Sequence, residues 1–378
     1  MPNGGIHYCG NCFHFKNNIC ILRNEEIEIA HWTTCRNWNS KALTPTGVIF
    51  AIVGEVKNRA VSYGNIPYYN GLRVETVQEG YNDTEVVWKS RDGQKIVFKE
   101  AEAYLQFYES ERIKKKNYIL GAIIGDIIGS AYEWHNVKTT AFPLFGKRTT
   151  FTDDSVLTVA TMDSILNQTY FAQSYQIYGR KFPDAGYGGL FFDWIDDENP
   201  KPYNSWGNGS AMRVSPAGWA CNTLDEVMAL AKRSAEVTHN HPEGIKGAQA
   251  TASAVFLAKT GKTKAEIKQF IEQTFKYDLN RTLDEIRPGY YFDVSCQGSV
   301  PEAIISFLES TDFESAIRLA ISLGGDSDTI ACITGGIAEA FYGELPEYII
   351  ENSLRVLPSE LIKVIEDFST KFGRIAHW

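Results

Sequence analysis

The rhythm of hydrophobic and polar positions changes twice along the chain. Residues 1–45 show little periodicity and mix aromatics with cysteines. Residues 46–108 break into short segments at 47–57, 60–63, 72–77, 84–89 and 95–99, several alternating apolar with polar. A period of two turns one face of a segment to a core and the other to water, which predicts strands. Asp92-Gly93, between the last two, is a hairpin signal, since both residues tolerate the φ values of a tight turn. A highly charged stretch, 109–117, then marks a junction.

From residue 118 the apolar spacing is helical almost throughout. The most apolar run, 118–132, is short and interrupted by Asp126, so it reads as a buried helix rather than a membrane span. Helices are also expected at 154–168, 171–182, 242–259, 328–342 and 358–369. Four Ser/Thr-x-x-Glu boxes precede apolar runs: Thr223 with Glu226, Thr263 with Glu266, Ser299 with Glu302, and Thr311 with Glu314. In each, hydroxyl and carboxylate are spaced to satisfy the free N–H groups of a helix start. The expected architecture is an all-α catalytic domain over 118–378, preceded by a Cys-rich segment (1–45) and a small β domain (46–112).

Composition narrows the class. At 378 residues, 44% hydrophobic and 22% charged, the chain is globular and of multidomain length. Its net charge of −9 argues against a generally basic nucleic-acid binder. The charge is uneven: residues 1–117 carry 15 Lys and Arg against 13 Asp and Glu, the remainder 22 against 33. The acidic part can supply carboxylates to a metal. The start, Met1-Pro-Asn-Gly-Gly, lacks the basic and apolar stretches of a signal peptide, so the expected compartment is the cytoplasm, with no membrane partner. Seven cysteines, an odd number, argue against a disulfide framework there.

Four of those cysteines crowd the first 45 residues. Cys9 and Cys12 are spaced to place two sulfurs on one tetrahedral metal, and Cys20 and Cys35 complete a four-thiolate shell, which points to structural zinc. The second half is not a Cys-x-x-Cys pair, and His7, His14 and His31 are substitutes for one ligand. The competing readings are unpaired core cysteines, a redox pair at Cys9 and Cys12, or an iron–sulfur cluster. A closed four-thiolate site would be structural and not catalytic.

Two stretches carry paired acids beside hydroxyls at helix starts: Thr152-Asp153-Asp154-Ser155 and Gly324-Gly325-Asp326-Ser327-Asp328-Thr329. One acid per helix is explained as a cap that favours the macrodipole. The second is not, and like charges this close need protons or cations to neutralise them. Hard divalent cations prefer such oxygen donors. In a third stretch, Gly121, Gly125 and Gly129 recur every four residues, as close helix packing requires. Within it Asp126 needs a buried partner, and Glu133 at its exit is placed to act as general acid or base if a metal site lies near.

Five motifs in order resemble the ADP-ribosylglycohydrolases, relatives of the dinitrogenase-reductase-activating glycohydrolase, over about residues 118–358. They are Gly-Ala-x-x-Gly-Asp-x-x-Gly-x-x-x-Glu at 121–133, Thr-Asp-Asp-Ser at 152–155, Gly-Asn-Gly-Ser-Ala-Met-Arg at 207–213, Thr238-His239, and Gly-Gly-Asp-Ser-Asp-Thr at 324–329. The resemblance implies an all-α fold whose cleft holds two Mg²⁺ (or Mn²⁺) ions. Their implied ligands are Thr152, Asp153, Asp154, Asp326, Asp328 and Thr329, with Glu133 near the scissile bond. Ser205, Trp206, Gly207, Asn208, Gly209 and His239 match positions that hold ADP-ribose. Ser155 and Trp206 stand where relatives often carry Thr and Tyr.

The expected reaction is metal-dependent release of ADP-ribose from a mono-ADP-ribosylated protein or small adduct. A protein side chain is favoured, with arginine ahead of serine, and a nucleic-acid adduct has little support from the charge balance. The alternatives are a module that binds ADP-ribose without turnover and a metal phosphohydrolase that cuts the pyrophosphate.

Overall fold

A computed structural model describes residues 118–373 in full, and before them the backbone of six short strands. The chain divides into two compact units, Met1–Lys115 and Lys116–Trp378. In the first, β1 (Phe15–Lys16), β2 (Ile19–Cys20) and β3 (Glu25–Glu26) form one antiparallel sheet. A second antiparallel sheet joins β4 (Arg73–Glu79), β5 (Asp83–Lys89) and β6 (Lys95–Phe98), with Val77 opposite Glu85 and Trp88 opposite Ile96. The strands expected at 47–57 and 60–63 lie outside the described residues. So do the side chains of Cys9, Cys12, Cys20 and Cys35, on which the expectation of a zinc site falls.

The second unit is all-α. Its helices that bear on the site are α1 (Gly121–Gly129), α2 (Asp153–Asn167), α3 (Phe171–Lys181), α4 (Gly189–Ile195), α5 (Gly209–Met212), α6 (Ser215–Ala220), α7 (Leu224–Glu236) and α8 (Pro242–Lys259). There follow α9 (Lys264–Phe275), α10 (Leu283–Ile286), α11 (Cys296–Glu309), α12 (Phe313–Ile321), α13 (Ser327–Tyr342), α14 (Glu347–Val356) and α15 (Ser359–Phe372). No helix among the described residues is long and apolar enough to cross a membrane.

The unit is built around α13, which is buried from Ser327 to Ala340. Helix α1 runs antiparallel along it, and the glycine stripe explains how close the two come. A Cβ on Gly121, Gly125 or Gly129 would lie 2.3 Å from the Gly335 carbonyl, 2.0 Å from that of Ala331, or 2.5 Å from the Asp328 Cα. The two ends of α1 are then fixed by α13. Buried Glu339 accepts hydrogen bonds from the Leu120 and Gly121 N–H groups at 2.9 and 2.8 Å, capping the start. The end of α1, with Glu133 beyond it, is thereby set against the acidic start of α13. Around this pair the aliphatic core gathers Ile123, Ile124, Ile127 and Ile128 of α1 with residues of α11, α12 and α15.

Two of the four capping boxes form as expected, at Thr223 with Glu226 and Thr263 with Glu266. The other two do not. Helix α11 begins three residues before Ser299, capped by Ser295; Glu302 inside it instead pairs with Arg281 at 2.7 Å. Helix α12 is capped one residue later than expected, by Asp312 with Ser315, and Glu314 instead pairs with Arg318 at 2.8 Å. A nearer capping side chain or an ion-pair partner outcompetes the box in both. An unforeseen box, Thr282 with Glu285, opens α10.

Candidate active site and metal centre

Each acidic pair sits where a helix start aims N–H groups and a positive dipole end at it. Thr152 caps α2, so Asp153 and Asp154 occupy its first turn, and Asp326, Ser327 and Asp328 open α13. Gly324 and Gly325 precede that helix with φ of 70° and 71°, a conformation that suits glycine and turns the chain sharply into it. Asn136 fastens this turn to the exit of α1: its Oδ1 accepts from the Gly325 N–H at 2.8 Å and its Nδ2 donates to the Gly325 carbonyl at 3.1 Å.

The antiparallel packing of α1 on α13 joins the clusters. Oxygens of Asp126, Asp154 and Asp328 lie within 4.8 Å of one another, and so do those of Glu133, Asp326 and Asp328. Asp328 belongs to both groups, so the acids form one continuous patch. Thr329 and Thr152 close it: Thr329 Oγ1 donates to Asp154 Oδ2 at 3.3 Å, and Thr152 Oγ1 lies 3.4 Å from the same oxygen. Thr152, Asp154, Asp326, Asp328, Thr329 and Glu133 are thus brought together, and Asp153 stands close enough for its charge to be felt by Asp154.

Asp126 was identified from sequence only as a buried acid in need of a partner, and its partners are now evident. It accepts from Thr152 N at 2.9 Å, Thr152 Oγ1 at 2.6 Å, Ser155 N at 3.1 Å and the Ser155 hydroxyl. Three of these donors go to Oδ2 and one to Oδ1. Asp126 therefore pins the start of α2 to α1 and orients Thr152. Among the described residues, Asp154 Oδ1 is buried and meets no hydrogen-bond donor.

That orphan oxygen and the crowding of carboxylates decide whether a metal fits. Burial pushes Asp154 and Asp328 well above the ordinary carboxylate range, and the neighbouring acids push them further. Asp153 is pushed up to about 8 by burial and then by the charges of Asp126 and Asp326. Asp326 is raised by burial as well. Glu133, half-buried, is pushed up to about 7, by burial first and by the Asp326 charge second. A buried set of hard oxygen donors that resists ionisation unless a cation arrives is chemistry suited to Mg²⁺ or Mn²⁺.

Beside the acids lies the glycine loop. Ser205 Oγ accepts from the Gly207 N–H at 3.0 Å, and Asn208 N donates to the Val294 carbonyl at 2.7 Å. Asn208 also reaches the acid patch, its Nδ2 donating to Asp326 Oδ2 at 2.7 Å and to Ser299 Oγ at 2.9 Å. His239 stands over the loop: a Cβ on Gly207 or Gly209 would lie 3.4 or 3.2 Å from its Nε2. Trp206 is 53% exposed and packs edge-on against His241, which itself caps α8. All six residues matched to ADP-ribose therefore sit together, and Asn208 ties them to the acids.

An aromatic side chain, Trp134, adjoins Glu133 and hydrogen-bonds to it. Trp134 is 74% exposed and stacks on Phe292 at 5.5 Å, within a loop that also carries exposed Tyr291 and Val294. Neither this pair nor the role of Asp126 was evident from sequence. The signal for Trp134 was its position directly after Glu133; nothing in the spacing marked Phe292.

Comparison with known proteins gives this arrangement its class. Residues 110–374 match the ADP-ribosylglycohydrolase family. The chain belongs to that family. The match runs beyond the 118–358 expected from the motifs at both ends, and leaves about the first 110 residues uncovered. Among its relatives, ADP-ribosylhydrolase ARH3 of Mus musculus is 31% identical over 317 aligned residues, 61% of this chain and 84% of the mouse protein. That of Homo sapiens is 30% identical over 315, covering 61% and 86%. A solved structure described as an ADP-ribosylglycohydrolase-related protein complex shares the fold, with a TM-score of 0.52, 23% identity, and coverage of 68% of this chain and 99% of that one. The chain is thus an enzyme of the ADP-ribosylhydrolase family with a buried acidic patch able to hold divalent metal.

Proposed function

We propose that this enzyme hydrolyses the bond between the distal ribose and a modified protein side chain, arginine ahead of serine, and releases intact ADP-ribose. The observation that carries the reading is the junction at Asp328, where a proton-holding carboxyl, Glu133, meets a metal-suited acid patch within 4.8 Å. Thr152, Asp153, Asp154, Asp326, Asp328 and Thr329 would hold two Mg²⁺ (or Mn²⁺) ions, which when bound supply Lewis-acid polarisation and orient the sugar.

The remaining work falls to the chain's own groups. The glycine loop and His239 suit a pyrophosphate, because glycines allow backbone to approach an anion closely. Trp206 offers a face for stacking. Cleavage of a glycosidic bond develops oxocarbenium character at the anomeric carbon, favoured by nearby carboxylates. Glu133, ionising near neutral pH, is matched to moving a proton between water and leaving group. Water contributes its oxygen to the ribose and a proton to the departing side chain. The stacked Trp134–Phe292 pair beside Glu133 favours arginine, whose planar cation packs well on aromatic faces.

The test is mass spectrometry of products from peptides ADP-ribosylated on arginine or on serine, incubated with the full chain and Mg²⁺ or with chelator. Intact ADP-ribose is expected with Mg²⁺ only, faster from arginine, and lost in Asp154→Asn and Asp328→Asn. AMP with ribose phosphate would instead mark a phosphohydrolase. Binding of ADP-ribose without any release would mark a reader.

A further inference from the structure

Among the described residues, Arg213 is the largest side chain wholly shut away from solvent, and no carboxylate is paired with it. A buried cation without a counter-ion is costly and calls for a reason. Its guanidinium lies 4.2 Å from the centre of the Tyr175 ring. One Nη2 hydrogen goes to the Ser234 carbonyl at 2.9 Å and the other to Thr238 Oγ1 at 2.8 Å, while Nε has no partner. Thr238 Oγ1 in turn lies 2.7 Å from His239 Nδ1.

The protons on this line can be assigned. Arginine only donates, so the Thr238 oxygen accepts from it, leaving the hydroxyl hydrogen free to point elsewhere. The Tyr203 hydroxyl also faces Thr238. With the threonine hydrogen turned to His239 Nδ1, 2.7 Å away, the histidine nitrogen is the acceptor. An imidazole that accepts at Nδ1 carries its proton at Nε2. Nε2 is the edge turned to Gly207 and Gly209. Burial and the Arg213 charge together keep the ring neutral.

We propose that Arg213, acting through Thr238, is a positioning residue that fixes His239 as a neutral Nε2–H donor for an anionic oxygen seated on the Gly207–Gly209 loop. This rests on the reading of that loop as a pyrophosphate site. The arrangement gives an anion one directed N–H in a neighbourhood dominated by carboxylates, with the unpaired positive charge of Arg213 set behind it. Neither the motif around Arg213 nor Thr238-His239 gave a reason for these residue types; the relay supplies one.

The experiment uses the full chain with ¹⁵N-labelled histidine, whose ring nitrogens report the tautomer by NMR; His239→Gln identifies the signal among the seven histidines. The expected wild-type pattern is Nε2–H. Thr238→Val keeps the shape but cannot donate, so it should release the tautomer and weaken ADP-ribose binding about tenfold, the equivalent of one hydrogen bond of about 1.4 kcal/mol. Thr238→Ser should restore both, and Mg²⁺ binding should stay as in the wild type in either variant. An Nδ1–H tautomer in the wild type, or Thr238→Val with unchanged tautomer or unchanged ADP-ribose affinity, overturns the relay. A wild type that shows Nε2–H but binds no ADP-ribose would count against the function proposed above and against the anion on the loop, leaving the tautomer assignment intact.

Discussion

At the scale of single residues, what matters most is how differently the buried acids are treated. Asp126 is held by four donors and works as a staple. Asp154 keeps an oxygen that meets no donor among the described residues, which is where a cation would find an uncommitted ligand. Glu133 is half-buried and ionises near neutrality, which suits proton transfer rather than permanent charge. The expected consequence is that Glu133→Gln, nearly the same shape but unable to exchange a proton, lowers kcat by about 10²- to 10⁴-fold. Its affinity for ADP-ribose and for Mg²⁺ should stay close to that of the wild type. Steady-state kinetics with calorimetric binding check this, and a drop confined to KM would remove Glu133 from the chemistry. The acids themselves were legible from spacing because two of them at one helix start exceed what capping requires. Which acid is staple and which is ligand was not legible, since that depends on donors 26 and 29 residues away.

Elements bring these residues together, and here the decisive contact is α1 on α13. The every-fourth glycines were legible as a close-packing face; their partner was not, because it lies about 200 residues on. Close packing has a direct functional consequence: it lets Asp126 and Glu133 of the α1 strip meet Asp328 of α13. Gly125→Ala tests it, since the added methyl would sit 2.0 Å from the Ala331 carbonyl, a backbone atom that cannot rotate aside. The helices must part, at a cost of roughly 1–3 kcal/mol for overpacking. The variant is expected to melt lower and to bind Mg²⁺ more weakly, because the two halves of the patch separate. Calorimetry with metal titration measures both, and normal Mg²⁺ affinity in a variant that melts lower would show that the patch does not depend on this spacing. The two misplaced capping boxes make the complementary point. Helix existence was readable from periodicity, whereas the capping residue was settled by local rivals such as Ser295 and Asp312.

For the molecule as a whole, the acid patch makes stability depend on pH and on metal together. Asp153 in the folded state holds its proton up to about pH 8 and Glu133 up to about pH 7, against ordinary values of 3.8 and 4.5. Asp154, Asp326 and Asp328 shift the same way. Below about pH 4 both folded and unfolded chains are protonated at these groups, and no difference arises. Above it the unfolded chain gives up protons that the folded chain retains, so the folded state binds more and stability falls as pH rises. The loss should run from about pH 4 to about pH 8, where the highest of the cited values is passed. Divalent cations reverse the balance by binding the ionised form, and at a hundred times Kd they add about 2.7 kcal/mol. In chelator, the transition that responds to metal is therefore expected to drop in temperature between about pH 5 and about pH 8. Mg²⁺ should raise it far more at the upper pH than at the lower, because at the lower pH metal must first displace protons that the carboxyls still hold. Scanning calorimetry of the full chain with and without Mg²⁺ decides it. Equal Mg²⁺ shifts at both pH values would mean that the carboxylates are already ionised without metal, and that something other than a cation neutralises them.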